Sequence, residues 1–313
     1  MLLSVEGLTI EAGGRRPILR EVSLTVGKGE IVGLVGESGS GKSTLARSVL
    51  RLLPAGASAS GRVLVSGEDV LAMGPSALRD LRASQVSMIY QDPRSSLNPV
   101  RRVGDFLTER MIHTLGRPRA EARARALELL AAVGMREPEL RMRQYPHELS
   151  GGMLQRVVIA AALAAGPALL LADEATSALD VTTQAETLAL LRRVQAEREL
   201  GMLFITHDLH LAAAFCDRVH VLYAGTVVES RPAKELFADP RHPYTAGLLA
   251  CTPELDDSRT LRPIPGRPPS LDDAFAGCPF APRCPDSSGP CESWQPEPVA
   301  VSGGFAACRL VEV

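Results

Sequence analysis

The chain has no apolar run able to span a bilayer. Its longest, Val157 to Ala172, is broken by Gly166-Pro167 and falls short of the roughly 20 residues that a spanning helix needs. It also lacks a basic leader, because Met1-Leu2-Leu3-Ser4-Val5-Glu6 turns polar at once. Neither charge is in excess: the balance over 313 residues is -2, without the basic surplus that nucleic-acid binders usually carry. These absences point to a chain kept in the cytosol, with no nucleic-acid partner, whose role at any membrane would be reached through another protein. What is present, 45% apolar and 22% charged residues, suffices for a large α/β core with an appendage.

The most informative segment is Gly36-Glu37-Ser38-Gly39-Ser40-Gly41-Lys42-Ser43-Thr44, which follows the apolar run Ile31 to Val35 and fits GxxxxGKS at every position. Its glycines let the backbone wrap closely around phosphate oxygens, so that successive N–H groups and the following helix N-terminus face an anion. In such a loop Lys42 reaches the β- and γ-phosphates, and Ser43 offers its hydroxyl to magnesium.

Around this loop, apolar runs of strand length alternate with helical stretches. Leu2 to Ile10, Ile18 to Val26, Glu30 to Val35, Arg62 to Val65, Val86 to Tyr90, Leu169 to Ala172 and Met202 to Thr206 read as strands. The continuous runs among them suit parallel strands covered on both faces, as in a three-layer α/β domain. Between residues about 98 and 165 the strand signal disappears, and Glu121 to Val133 and Leu154 to Ala164 indicate an inserted helical subdomain. Composition changes near residue 231: fourteen of the 23 prolines and the only tryptophan, Trp294, lie beyond it, so residues 231–313 are expected to form a separate unit after a domain over 1–230.

Two further segments carry chemistry. Leu169-Leu170-Leu171-Ala172-Asp173-Glu174 is an apolar strand ending in two carboxylates, at the strand end where open α/β sheets hold ligands. Successive residues on an extended chain point oppositely, which assigns Asp173 to magnesium through water and Glu174 to orienting and deprotonating an attacking water. Leu149-Ser150-Gly151-Gly152-Met153 precedes a helical run, with Ser150 placed as its N-cap. One ATP does not need two anion-binding helix ends in one subunit, so this second end is expected to serve a nucleotide held mainly by another subunit.

In this order, together with Gln91 after the strand Ile89-Tyr90, Ser177-Ala178-Leu179-Asp180, and Ile205-Thr206-His207-Asp208, the chain resembles the ATP-binding-cassette (ABC) family over residues 1 to about 230. The resemblance implies a P-loop NTPase three-layer core with an N-terminal antiparallel β subdomain, an inserted helical subdomain and a small irregular Cys-rich C-terminal extension. It further implies ATP hydrolysis by two cassettes packed head to tail, each ATP lying between one phosphate loop and the other chain's Ser150-Gly151-Gly152. Glu174 would be the general base, His207 would contact the γ-phosphate, Gln91 would reach magnesium, and Asp180 would communicate across the dimer. Met153 stands where Gln is common, and Ala175 where Pro is frequent. The aromatic that often stacks on adenine is missing from Thr9-Ile10-Glu11-Ala12-Gly13-Gly14, so the residues fix the phosphates more firmly than the base.

In the tail, Cys278, Cys284, Cys291 and Cys308 are separated by 5, 6 and 16 residues in a segment too rich in Pro, Gly and Ser to build an apolar core. A disulfide framework suits a cytosolic chain poorly. Zinc favours tighter cysteine pairs. Four thiolates and the Cys-Pro steps fit an iron-sulfur cluster, with zinc or unligated thiols as alternatives.

Arg241-His242-Pro243-Tyr244-Thr245, Ile264-Pro265-Gly266-Arg267-Pro268-Pro269 and Cys278-Pro279-Phe280-Ala281-Pro282-Arg283-Cys284 resemble the ATP-binding subunits of dipeptide and oligopeptide importers. That resemblance implies a 4Fe-4S site at the four cysteines, a second and usually different cassette chain, two transmembrane permeases and an extracytoplasmic binding protein. It places the chain peripherally on the cytoplasmic face of the membrane. Related importers carry nickel, metallophores, opines or sugars, and other cassette proteins act without a transporter.

Overall fold

The computed structural model describes residues 1–13, 17–177, 179–251 and 263–311. Along the chain run β1 (Leu3–Ala12), β2 (Leu19–Val26), β3 (Ile31–Val35), α1 (Lys42–Val49), β4 (Ala57–Val65), β5 (Glu68–Asp69), α2 (Pro75–Asp80) and β6 (Val86–Ile89). There follow α3 (Pro93–Ser96), α4 (Val103–Glu109), α5 (Arg119–Ala132), α6 (Pro138–Arg143), α7 (Gly151–Ala164), β7 (Leu169–Asp173), α8 (Val181–Arg198), β8 (Gly201–Thr206) and α9 (Leu209–Phe215). The last elements are β9 (Arg218–Tyr223), β10 (Thr226–Pro232), α10 (Ala233–Ala238), α11 (Pro243–Ala250), β11 (Val299–Val301) and β12 (Gly304–Ala306). Among the described residues no helix is long and apolar enough to cross a membrane.

The chain forms two compact units, Met1–Ala72 with Leu203–Val313, and Met73–Met202. In the first, β1 alternates buried Leu3 and Val5 with outward residues, and a register shift between Val5 and Leu8 returns Leu8 and Ile10 to the buried face. It pairs antiparallel with β2 and β4 in a sheet of order β2-β1-β4-β5. The second sheet of this unit runs β11-β12-β10-β9-β3-β8, with β3 and β9 parallel and β9, β10, β12 and β11 antiparallel in turn. Every residue of β3 and β8 is buried, the pattern required of strands covered on both faces.

The compositional boundary near residue 231 does not separate a body of its own. It falls within β10, and residues 231–313 group with the first unit. Glu229 on β10 is fully buried and accepts the backbone N–H groups of Arg241 and His242 at 3.0 Å each. Arg231, two residues on, donates to the Ser302 carbonyl at 2.9 Å and to the Asp239 carbonyl at 2.5 Å. The tail also shares an aromatic core with β9, in which Phe280 packs against Tyr223 and Tyr244 with ring centroids 5.3 Å apart in both cases.

In the second unit β6 and β7 pair in parallel, from Val86 opposite Leu169 to Ile89 opposite Ala172. Between residues 98 and 165 the elements are helical: α4, α5, α6 and α7 follow one another, and α7 is buried along most of its length by Leu154, Val157, Val158, Ile159 and Leu163.

Candidate nucleotide site

Three groups of residues carry the chemistry, and each is built by its local chain. The phosphate loop joins β3 to α1. Gly36 has φ of 151°, and a Cβ there would lie 2.2 Å from the Leu222 carbonyl oxygen. Gly41 has φ of 107°, and its Cβ would lie 2.7 Å from Leu19 Cδ2. Both positions exclude a side chain by conformation and by space. Gly41 is the N-cap of α1 and, having no side chain, places no side-chain cap across the start of that helix, the end that favours an anion.

Lys42 is buried and turned into the loop, where its Nζ donates to the carbonyls of Gly36 and Glu37 at 2.8 Å each. Ser40 Oγ is buried and has no hydrogen-bond partner among the described residues. An unpaired buried hydroxyl in a glycine-framed cradle fits a phosphate oxygen. Ser38 and Gly39 are exposed along the loop, while Ser43 and Thr44 are half-buried in the first turn of α1. β8 is the sheet neighbour of β3, so exposed His207 follows the strand beside the one that leads into the loop.

In the second unit the register of β6 with β7 places Gln91 and Glu174 two residues past a matched pair, Ile89 and Ala172. Gln91 Nε2 donates to Glu174 Oε2 at 2.8 Å. Asp173 is buried as the last residue of β7, whereas Glu174 is half-buried with φ of 49°, a left-handed conformation uncommon for a residue with a Cβ. The extended strand thus ends at Asp173, and Glu174 leaves it in a left-handed conformation.

The third group begins at Ser150, the N-cap of α7, whose hydroxyl accepts from Met153 N–H at 3.4 Å. Gly152 faces α8 so closely that a Cβ would lie 2.9 Å from Thr183 Cγ2. Asp180 caps α8 by accepting from the Thr183 backbone N–H at 3.0 Å and from its hydroxyl at 2.8 Å, and those bonds hold its carboxyl below the usual range. Gly152 and Asp180 therefore meet the same residue, Thr183. Ala178 and Gly14 lie outside the described residues, so Ser177-Ala178-Leu179-Asp180 and Thr9 to Gly14 are described without them.

Among the described residues there is no set of three or more His, Cys, Asp or Glu that could hold a metal ion. Cys278, Cys284, Cys291 and Cys308 do line one apolar cavity together with Phe280 and Trp294, and none is in a disulfide. Burial pushes the Cys278 and Cys308 thiols up and Cys284 to about 11, whereas the Ser288 N–H lowers Cys291.

Sequence reasoning missed Glu37, Tyr244 and Arg283 as parts of the site. Glu37 occupies a position where the loop pattern accepts any residue. The available signal is Arg283 itself, a cation in an apolar Cys-Pro-Phe-Ala-Pro-Arg-Cys segment with no acid beside it.

The family model described as "ABC transporter" matches residues 19–177, and that described as "Oligopeptide/dipeptide transporter, C-terminal region" matches residues 228–291. The oligopeptide transport ATP-binding protein OppD of Escherichia coli is 43% identical over 311 residues, covering 98% of this chain and 92% of its own. The Mycobacterium tuberculosis protein of the same name is 46% identical over 299 residues; the match covers 94% of this chain but 49% of that longer protein. Among solved structures, cbiO1 of Clostridium perfringens superposes with a TM-score of 0.68 at 29% identity, covering 76% of this chain and 91% of its own. A dimeric bacterial ABC transporter cassette gives 0.65 at 28% identity, covering 74% of this chain and 99% of its own. With a phosphate loop, a strand-end carboxylate pair and a capped Ser-Gly-Gly helix in family order, this chain belongs to the ABC transporter family, among its ATP-binding subunits of the oligopeptide-importer type.

Proposed function

We propose that this chain binds and hydrolyses ATP to drive import of oligopeptides, as one half of a head-to-tail cassette dimer. The observation that carries the reading is the phosphate loop, with its uncapped helix end, its inward Lys42 and its unpartnered Ser40 hydroxyl. Lys42 and the first-turn N–H groups of α1 bind the phosphates. By the family resemblance, Ser43 and Gln91 would offer oxygen to a magnesium ion and Asp173 would hold it through water. When bound, magnesium neutralises charge on the transferring phosphoryl group.

Glu174, steadied by Gln91, orients the water and takes its proton as the oxygen attacks the γ-phosphorus, leaving ADP and phosphate. His207 holds the γ-phosphate and that water in register. Ser150, Gly151 and Gly152 face the ATP of the opposing cassette, and Asp180, through Thr183, links that helix end to its own chain. In the Glu174→Gln variant we expect ATP binding and a stable ATP-bound dimer, with hydrolysis reduced by about 10²- to 10⁴-fold. A variant that binds no ATP, or hydrolyses it at the unaltered rate, overturns the role.

The partners in this reading are a related cassette chain, two membrane permeases and an extracytoplasmic peptide-binding protein, with the present chain peripheral on the cytoplasmic face. The C-terminal family match and the names of the relatives support peptide cargo. Co-purification with permeases tests the assembly, and the ligand of the cognate binding protein tests the cargo.

For the four cysteines, the reading is a 4Fe-4S cluster that orders a tail poor in apolar residues, since ligation supplies folding free energy. The four thiols line one apolar cavity, and their wide spacing along the chain suits a cluster better than zinc, which favours tight cysteine pairs. A brown, broadly absorbing protein after anaerobic purification is the expected result. A colourless, zinc-containing sample refutes it.

A further inference from the structure

The loop residue Glu37 is held from both its ends by residues more than 200 positions away. Its carboxylate receives a two-pronged bond from Arg283, Nη1 to Oε2 at 2.7 Å and Nη2 to Oε1 at 2.9 Å. Its backbone N–H donates to the Tyr244 hydroxyl at 2.8 Å. Both partners are buried, Tyr244 completely and Arg283 to 6% exposure. Arg283 is itself fixed by donating to the Pro265 carbonyl at 2.9 Å and to the Tyr223 hydroxyl at 3.3 Å. Tyr223 and Tyr244 pack with centroids 4.5 Å apart, so the clamp stands on a rigid aromatic base.

The other side of Glu37 faces the chemistry. Its carbonyl and that of Gly36 accept the Lys42 ammonium. A loop with glycine at positions 36, 39 and 41 has little stiffness of its own, so its shape depends on what grips it. Fork-shaped guanidinium-carboxylate pairs are the strongest grip of this kind, and removing one member in a buried setting leaves the other uncompensated.

We infer that Arg283 and Tyr244 of the C-terminal extension are positioning residues of the nucleotide site, fixing the Gly36-Glu37 peptide and through it the Lys42 ammonium that meets the phosphates. This rests on the reading of the loop as an ATP site. The extension is then a working part of the cassette, and its state is felt at the phosphate loop.

The test compares the full-length chain with Tyr244→Phe, Arg283→Lys, Arg283→Gln, Glu37→Gln and the double variant Arg283→Gln/Glu37→Gln. It measures ATP affinity in isolation and KM and kcat in the assembled transporter. Removal of Tyr244's oxygen keeps the ring packing, so this variant reports on the clamp even if the Arg283 variants fold poorly. We expect it to weaken ATP binding about threefold, and Arg283→Gln and Glu37→Gln to do so by about fivefold to tenfold.

KM should rise while kcat stays within about twofold. Arg283→Lys should fall between Gln and the unaltered chain, and the double variant should bind no worse than the poorer single, as coupled residues do. Unchanged affinity in Tyr244→Phe and Glu37→Gln, or additive losses in the double variant, overturns the inference. If the unaltered chain itself binds no ATP, the reading of the loop falls and the inference falls with it.

Discussion

Two helix N-termini in this protein can face an anion, and they are finished differently. α1 starts at Gly41 with no side chain across its end, and Lys42 and Ser40 stand in place of a cap. α7 starts at Ser150, which closes its own helix with a long 3.4 Å bond to Met153 N–H. The first end carries no side-chain cap and is flanked by a cation and an unpartnered hydroxyl, an arrangement that suits an anionic ligand. The second is complete but weakly latched, which suits a surface that engages a nucleotide only when another subunit presents it.

The contrast breaks most sharply at Lys42. Replacing it by alanine removes the cation of the open end, and equilibrium binding should show ATP affinity reduced by about 100-fold or more. The same measurement on Ser150→Ala should show the isolated chain binding ATP as before, if the capped end serves another subunit's nucleotide as proposed. Hydrolysis by the assembled transporter should fall by about tenfold to a hundredfold, and loss of the cap should cost about 1 kcal/mol in denaturant unfolding. If Ser150→Ala instead weakened ATP binding in the isolated chain, the two ends would not differ in the way described.

A smaller effect belongs to the framework behind the open end alone, and it follows pH. His220 lies on β9 opposite Leu34 of the strand that leads into the phosphate loop, and His242 lies beneath Tyr244 at the clamp. Burial lowers His220 to about 3, with the Arg218 charge adding to it, and lowers His242 to about 4, against an ordinary 6.5. Both are neutral in the folded chain, and only the unfolded chain takes up protons as the pH drops below 6.5. The stability they contribute is therefore full above about pH 6.5 and declines toward pH 4, at about 1.4 kcal/mol per pH unit for each histidine. Denaturant unfolding between pH 7 and 5 should show this slope, and His220→Leu should flatten it.

The parts of the site that local chain geometry dictates were legible from sequence. Val35 to Lys42 is a strand, a glycine loop and a helix start in immediate succession, and Gln91 and Glu174 each follow an apolar strand. Their bond required one further fact, the register of β6 against β7. Less legible were β9 to β12; β11 and β12 are three residues each, too short for an apolar pattern of their own, and join the sheet through the pairing of β12 with β10 and of β11 with β12. The tail reads from composition as an independent body because its prolines and cysteines differ from what precedes them. Its core, however, is partly borrowed: beside Tyr244 of the tail, Phe280 packs on Tyr223, which arrives from β9. The Arg283 to Glu37 pair spans 246 positions, and no local rule links its ends.

The backbone at Glu174 has a consequence for anyone who would make this protein sturdier. At φ of 49° a side chain is carried where glycine sits without strain, a difference of about 1 kcal/mol. Selection for heat resistance alone would accept glycine at 174, and, with Glu174 as the proposed base, the surviving clones would be robust and inert. Durability and turnover pull in opposite directions at this one residue, so any hardening programme must screen for phosphate release from its first round.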